Sequence, residues 1–376
     1  MNFAGRLAID VRWDGHEVRS VAVRNTRPHA ARLLAGRPAL EVMKMVPLLF
    51  AVCGRAQSIA AHAAWTAARG RLVGEELKRH LDGYEATVAL ESAQEHLWRL
   101  LVDWPLLLGL APAQQMAIDW HRRLARVDGV EGSEGWVEAG NELMAGPVLD
   151  IVGVDLLRWE GLMIRALLDP EGTRLPGTVG RMLDALARIE ACAPAQPAAT
   201  PFVDAVSAGE TAAHLAWPVD EAYAAAPTWD GKPAETGALA RQSDHPLLQP
   251  LRRAGRTLAA RLLARVLDLI DDAQCLAGGR PLQRRADAGR LADGSGLARV
   301  ETARGMLLHW ADASGDHIER YAIVAPTEWN FHPGGTFRTQ AVGARAGDET
   351  ALRRYLEALA LALDPCVEYE IELAHA

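Results

Sequence analysis

Four cysteines stand in this chain of 376 residues, at Cys53, Cys192, Cys275 and Cys366. Thiolates are soft donors, so cysteines are the first residues to weigh for metal chemistry. Their wide spacing, with no CxxC, excludes a zinc ribbon and gives no disulfide framework. Cys366 asks for an explanation of its own. It lies in "DPCVEYEIELAHA", close to a chain end, where order fails unless something ties the segment down. Cys53, in "FAVCGRAQSIAA", opens a predicted helix, and a helix N-terminus should lower its pKa and favour the thiolate. Two such thiolates could hold a metal if the fold brings both to one atom. No alternative catalytic signature competes: HExxH, GxSxG, GxxxxGK[ST] and a strand-borne GxGxxG are all absent. His62, on an Ala-rich helix, and His96, on an amphipathic one, read as packing or surface residues, and Cys192 and Cys275 as inert thiols.

The elements that must position these residues are mostly helical. Leu7, Ile9, Val11 and Trp13 alternate before Asp14-Gly15, and Val18, Val21 and Val23 follow, which predicts a β-hairpin over Arg6 to Val23. Helical spacing begins at Pro38 with Leu40, Met43 and Val46, and a second helix runs from Cys53 to near Gly70. Further helices are expected over Tyr84 to Val102, Pro112 to Val127, Asp155 to Leu168, Gly177 to Glu190, Leu248 to Leu276 and Asp348 to Leu363. Met306 to Trp310 and Ile318 to Val324 flank the turn residues Ser314-Gly315-Asp316 and predict strands. The fold class is therefore mainly α with small β elements, in one domain over 1–376, with the Ala/Pro stretch Ala191 to Pro201 as a long loop.

With 49% apolar and 23% charged residues the chain can bury a sizeable core. A net charge of −8, with 40 basic residues scattered among acidic ones, makes nucleic acid an unsuitable partner. No uncharged run reaches the roughly 18 residues that span a bilayer, so no membrane is implied and a cytoplasmic location is expected.

Five stretches occur in a telling order: "GRPALEVMKMVPLLFAVCGRAQSIAA", "WDGKPAETGALAR", "ETARGMLLHW", "VAPTEWNFHP" and "DPCVEY". Together they resemble the large subunit of nickel-iron hydrogenases, over roughly Gly5 to Trp65 and Thr228 to Cys366. That family carries RICGVCxxxH near its start and DPCxxCxxH at its end, whose four thiolates hold nickel and an iron with one CO and two cyanides. Here Phe50 stands for the first cysteine and Gln57 for the first histidine, while Tyr369 and Glu372 stand for the last cysteine and histidine. The family's proton-relaying acid falls on Ala31, and the proline of its APRG on Ala303. Two of four thiolates are missing, so a nickel site cannot be completed and hydrogen turnover is not expected.

A shortened likeness with two cysteines resembles the HupK/HoxV group of hydrogenase maturation proteins, as does "ESAQEHLWRLLVDWP". The resemblance implies a reduced large-subunit-like fold and a scaffold that carries or assembles an Fe(CN)2(CO) group, without nickel. Cys53 and Cys366 would be its ligands, with Arg304 and Thr327 facing the cyanides. Implied partners are the small OB-fold hydrogenase maturation chaperone, the apo large subunit and other maturation proteins. Two alternatives stay open: an iron-free paralogue that only binds maturation factors, and a redox subunit of the kind found in respiratory complex I.

Overall fold

The computed structural model describes residues 5–28, 30–50, 52–70, 74–127, 133–169, 172–195, 199–279 and 285–376, so part of the expected Ala/Pro loop, residues 196–198, lies outside the described residues. Strands β1 (Leu7–Trp13) and β2 (Val18–Asn25) form the expected antiparallel hairpin. Asp14 closes its turn by accepting from the backbone N–H groups of His16 and Glu17. The short β3 (Arg37–Pro38) then leads into helix α1 (Ala39–Leu49), and a brief connection carrying Phe50 and Cys53 leads into α2 (Gly54–Ala68). The inner face of α2 is almost all alanine, with Ala56, Ala60 and Ala64 fully buried. Small side chains let this helix lie close on a sheet.

Helices α3 (Gly74–Trp98), α4 (Gln114–Val127), α5 (Leu156–Leu168) and α6 (Gly177–Glu190) follow close to expectation. The helix expected over Leu248 to Leu276 is broken at Gly255, whose φ of +74° is left-handed, into a short piece and α7 (Thr257–Leu276). Nearly every residue of α7 is buried, including Arg261, Arg265, Asp268 and Asp272. A helix covered on all sides must pair its charges internally.

The second sheet is larger than the sequence indicated. Strands β4 (Ala286–Arg290), β5 (Gly296–Thr302), β6 (Gly305–Ser314) and β7 (His317–Val324) pair antiparallel, and β3 completes the order β3-β7-β6-β5-β4. Leu307 and Ala311 of β6 face the cluster that holds α1 and α2, whereas Met306, Leu308 and Trp310 face a second cluster with Trp229 and Trp329. Both faces are covered, so β5 is buried at every position and shows no alternation.

After the short α8 (Pro326–Asn330), helix α9 (Glu349–Leu363) runs to Asp364. The segment that follows Cys366 is strand β8 (Tyr369–His375), parallel to β1 with Leu7 opposite Tyr369 and Ile9 opposite Ile371. A hairpin leaves β1 an unpaired edge, and the chain end covers it. That pairing is what ties Cys366 down. No described helix is long and apolar enough to cross a membrane.

Candidate metal centre

Cys53, Cys366 and Arg304 line one recess of about 1320 Å3, together with Arg27, Phe50, Arg99, Asp364 and Tyr369. The fold thus brings together two cysteines more than 300 positions apart and the arginine between them in sequence. Thr327 joins from behind: its Oγ1 lies 3.0 Å from Cys366 Sγ and accepts from the Cys366 backbone N–H at 3.1 Å. Since that oxygen already accepts from the backbone, its own hydrogen is free to point at the sulfur. Cys192 and Cys275 lie away from the recess.

Cys53 is the N-cap residue of α2, but its side chain caps nothing. The exposed donors of that terminus are taken by Glu91 of α3, whose two carboxylate oxygens accept from Arg55 N and Ala56 N, each at 3.0 Å. This overturns the expected low pKa. Burial pushes the Cys53 thiol up to about 12, and the charges of Cys366 and Glu91 act in the same direction. The helix terminus already has its anion. A metal ion, by displacing the proton outright, would still make this sulfur a ligand.

Cys366 is set by charge. Asp364 ends α9 with a left-handed φ of +53°, and its carboxylate receives Arg99 at 2.8 Å, Arg265 at 2.9 Å and Arg304 at 3.3 Å. Burial opposes ionisation of Asp364, yet the three guanidinium groups hold its pKa well below the ordinary carboxylate range. Arg27 completes the surroundings of Cys366. It donates to Sγ at 3.3 Å and stacks 5.0 Å over the Phe50 ring.

Arg304 sits on the β5–β6 turn beside Ala303, where the resemblance leads one to expect a proline. The turn is held another way: the Thr302 hydroxyl donates to Gly305 O at 3.0 Å and accepts from Arg304 N at 3.2 Å. Gly305, at φ +130°, leaves no room for a side chain, because a Cβ would lie 2.4 Å from Thr236 Cγ2. The Arg304 guanidinium pairs with Glu95 at 2.5 Å as well as with Asp364. Although burial works against the charge, Asp364, Glu95 and the two cysteine sulfurs hold its pKa above the usual arginine value. It is the buried Nε that lies 3.3 Å from Asp364, an ion-pair contact without hydrogen-bond geometry.

Several residues of this site were not singled out from the sequence: Arg27, Glu91, Glu95, Arg99 and the carboxylate of Asp364. A signal for three of them was present. Glu91, Glu95 and Arg99 recur every four residues and so share one face of α3 and its continuation. His96, on an adjoining face, is fully buried, with Nε2 2.8 Å from Asp268. His96, Asp268 and Asp272 also cluster closely enough to suggest metal ligands. Arg241, Arg265 and Arg285 already pair with that cluster, which makes it a buried ion-pair centre.

Comparison with known proteins agrees with this architecture. The family model of nickel-dependent hydrogenases matches residues 252–352. Among solved structures, a Ni-Fe-Se hydrogenase from D. vulgaris Hildenborough superposes with a TM-score of 0.58 at 14% identity, covering 94% of this chain and 95% of that one. An NAD+-reducing [NiFe]-hydrogenase does so with a TM-score of 0.58 at 15% identity, over 94% and 93%. The sequence relatives are nearer. Hydrogenase expression/formation protein HoxV of Cupriavidus necator is 31% identical over 93% of this chain and 92% of its own length. HupV of Azotobacter chroococcum is 31% identical over 99% and 100%, and HupK of Azotobacter vinelandii 31% identical over 99% and 100%. With a hydrogenase large-subunit fold and relatives of this closeness along its whole length, the chain belongs to the HoxV/HupK/HupV family of hydrogenase expression/formation proteins.

Proposed function

We propose that this protein serves hydrogenase maturation in the cytoplasm as a non-catalytic scaffold, which carries or assembles an Fe(CN)2(CO) group and passes it to the hydrogenase large subunit. The observation that supports this most is the shared recess: Cys53 and Cys366 open into one cavity beside Arg304. The iron group would be cargo, bringing three strong ligands of its own, so that two soft thiolates suffice to anchor it reversibly. Cys53 and Cys366 would be those thiolates. Its cyanides are buried acceptors that need donors, and the buried Arg304 guanidinium, whose Nε lies 3.3 Å from Asp364 without making a hydrogen bond to it, offers one. The Thr327 hydroxyl and the Arg27 guanidinium, both on Cys366, would steady the sulfur.

The same recess disfavours nickel. Phe50 and Tyr369, at the places of the two missing cysteines, line its wall and present rings in place of soft donors. Hydrogen turnover is therefore not part of the reading.

The rim bears on partners. Leu33, Leu49 and Val52 line the recess while 52%, 38% and 44% exposed. An apolar rim suits reversible docking of the small OB-fold maturation chaperone and of the apo large subunit. Mixing the loaded protein with apo large subunit tests the transfer. The CO and cyanide infrared bands should leave this protein and appear in the re-isolated large subunit. Bands that stay on this protein after the two have associated would contradict delivery.

A further inference from the structure

Behind Cys53 runs a buried polar chain that the scaffold reading does not use. Gln57, one turn along α2, places Nε2 3.7 Å from Cys53 Sγ. His309 Nε2 lies 2.8 Å from Gln57 Oε1, and the Tyr321 hydroxyl lies 2.7 Å from His309 Nδ1. Gln57 and His309 are 1% and 0% exposed, so water does not stand in for any link.

The fold sets this line up from two elements. Alternation along β6 turns His309 toward α2 between Leu307 and Ala311. On β7, Tyr321 pairs with Ala311 and stands diagonal to His309 on the same face, with its ring at 86° to the imidazole. Placing an imidazole, an amide and a phenol in an alanine-lined interior is costly unless each is bonded, and here each is.

The chemistry of the three groups gives the chain a direction. An amide nitrogen only donates, so Gln57 offers N–H to the sulfur and turns its oxygen to His309. That oxygen only accepts, so the imidazole proton sits on Nε2. Nδ1 then accepts from the Tyr321 hydroxyl. Burial holds His309 neutral, with a pKa pushed down to about 3, as this arrangement requires.

We propose that Gln57, His309 and Tyr321 form a positioning chain that presents a hydrogen-bond donor to the metal-ligating sulfur of Cys53. Gln57 stands where the resemblance to hydrogenase large subunits places a histidine, and here the orientation of its amide is set from the sheet through His309. The consequence for the iron group rests on the scaffold reading; the donor to the sulfur does not.

Two arms keep these apart. In the first, Cd2+ serves as a soft probe that needs no maturation machinery, with thiolate-to-metal absorption as readout and Cys53→Ala as control. Gln57→Leu should weaken Cd2+ binding by roughly tenfold or more, the usual cost of losing a group that orients a ligand. The conservative Tyr321→Phe should weaken it less. Nitrogen NMR of the Cd2+-bound parent should find the His309 proton on Nε2.

In the second arm, infrared spectra of the iron-loaded protein should show CO and cyanide bands shifted to lower frequency in Gln57→Leu. A sulfur relieved of its donor pushes more electron density to the metal. A smaller shift in the same direction is expected for Tyr321→Phe. Unchanged Cd2+ affinity in Gln57→Leu, or a His309 proton on Nδ1, would overturn the chain whatever iron does. If the parent carries no bands while the Cd2+ arm behaves as described, the scaffold reading falls and the positioning chain stands.

Discussion

Cys53 and Cys366 meet in one recess but are held there by different physics. Cys53 is 8% exposed, at the head of an alanine-faced helix pressed on a sheet, and its side-chain donor among the described residues is an amide. Cys366 is half-buried on the short link between α9 and β8, with Arg27 and Thr327 on its sulfur and three arginines on the preceding Asp364. Packing holds the first, and charge holds the second. On the proposed scaffold reading, such a division would suit a carrier, because the packed sulfur can stay fixed while the charged one responds to a partner at the rim.

The contrast can be broken at its charged side first. Asp364→Asn leaves Arg99, Arg265 and Arg304 around a neutral group, and breaking a buried ion pair in this way costs about 3–5 kcal/mol. Calorimetry should show a larger drop in Tm for this variant than for any of those that follow. A loss under about 1 kcal/mol, the scale of an exposed pair, would mean that charge does not hold Cys366.

The packed side breaks by volume. A Cβ on Gly296 of β5 would lie 2.0 Å from Ala64 O on the backbone of α2. Gly296→Ala should therefore cost about 1–3 kcal/mol by pushing α2 off the sheet. Alkylation of Cys53 should quicken in that variant while Cys366 keeps its rate. Equal changes at both would show the two sides to be mechanically one.

Acid separates the sides by pH window. His309 has a folded pKa near 3 against about 6.5 unfolded, so below about 6.5 the unfolded chain takes a proton that the folded one refuses. Stability then falls as pH is lowered toward 3, by ~1.4 kcal/mol per pH unit for this group. His96, brought down to about 4 by burial, adds to the slope over most of the same range. Asp364 is depressed as well, so its contribution is complete above the unfolded carboxylate value of about 3.9 and is lost only as pH falls below that. Denaturant titrations of His309→Gln should show a flatter slope between about pH 6.5 and 3; Asp364→Asn should leave the slope above about pH 4 unchanged and flatten it below.

The smallest effect is expected at Thr327→Val, which removes the hydroxyl from Cys366 at a cost of about 1 kcal/mol. Its use is in comparison with Asp364→Asn. The hydroxyl refines a position that the ion pairs set, so iron retention should drop less than in the aspartate variant.

Much of this was legible in the chain. The hairpin, the main helices, the ligand candidates Cys53 and Cys366 and the cyanide-facing candidates Arg304 and Thr327 followed from local pattern and from ordered motifs. What could not be read has a common cause: it depends on partners distant in sequence. Asp364 meets arginines from α3's continuation, α7 and the β5–β6 turn. β8 finds its partner at the opposite end of the chain. β5 is buried on both faces, which erases the alternation that marks a strand, and β4, "ADAGR", has little strand propensity of its own and forms by pairing with β5. The expected acidic shift of Cys53 failed because burial pushes the thiol up, and because Glu91, from another helix, had already occupied the helix terminus.

The central claim is that Cys53 and Cys366 jointly hold an iron group with CO and cyanide. Infrared spectroscopy tests it most directly, on protein purified without oxygen from cells that make the hydrogenase maturation machinery, beside Cys53→Ala and Cys366→Ala. CO and cyanide stretches in the parent that vanish in both variants are the predicted result. Absence of bands in all three, with maturation partners still co-purifying, would contradict it and leave an interaction protein whose cysteines carry no iron.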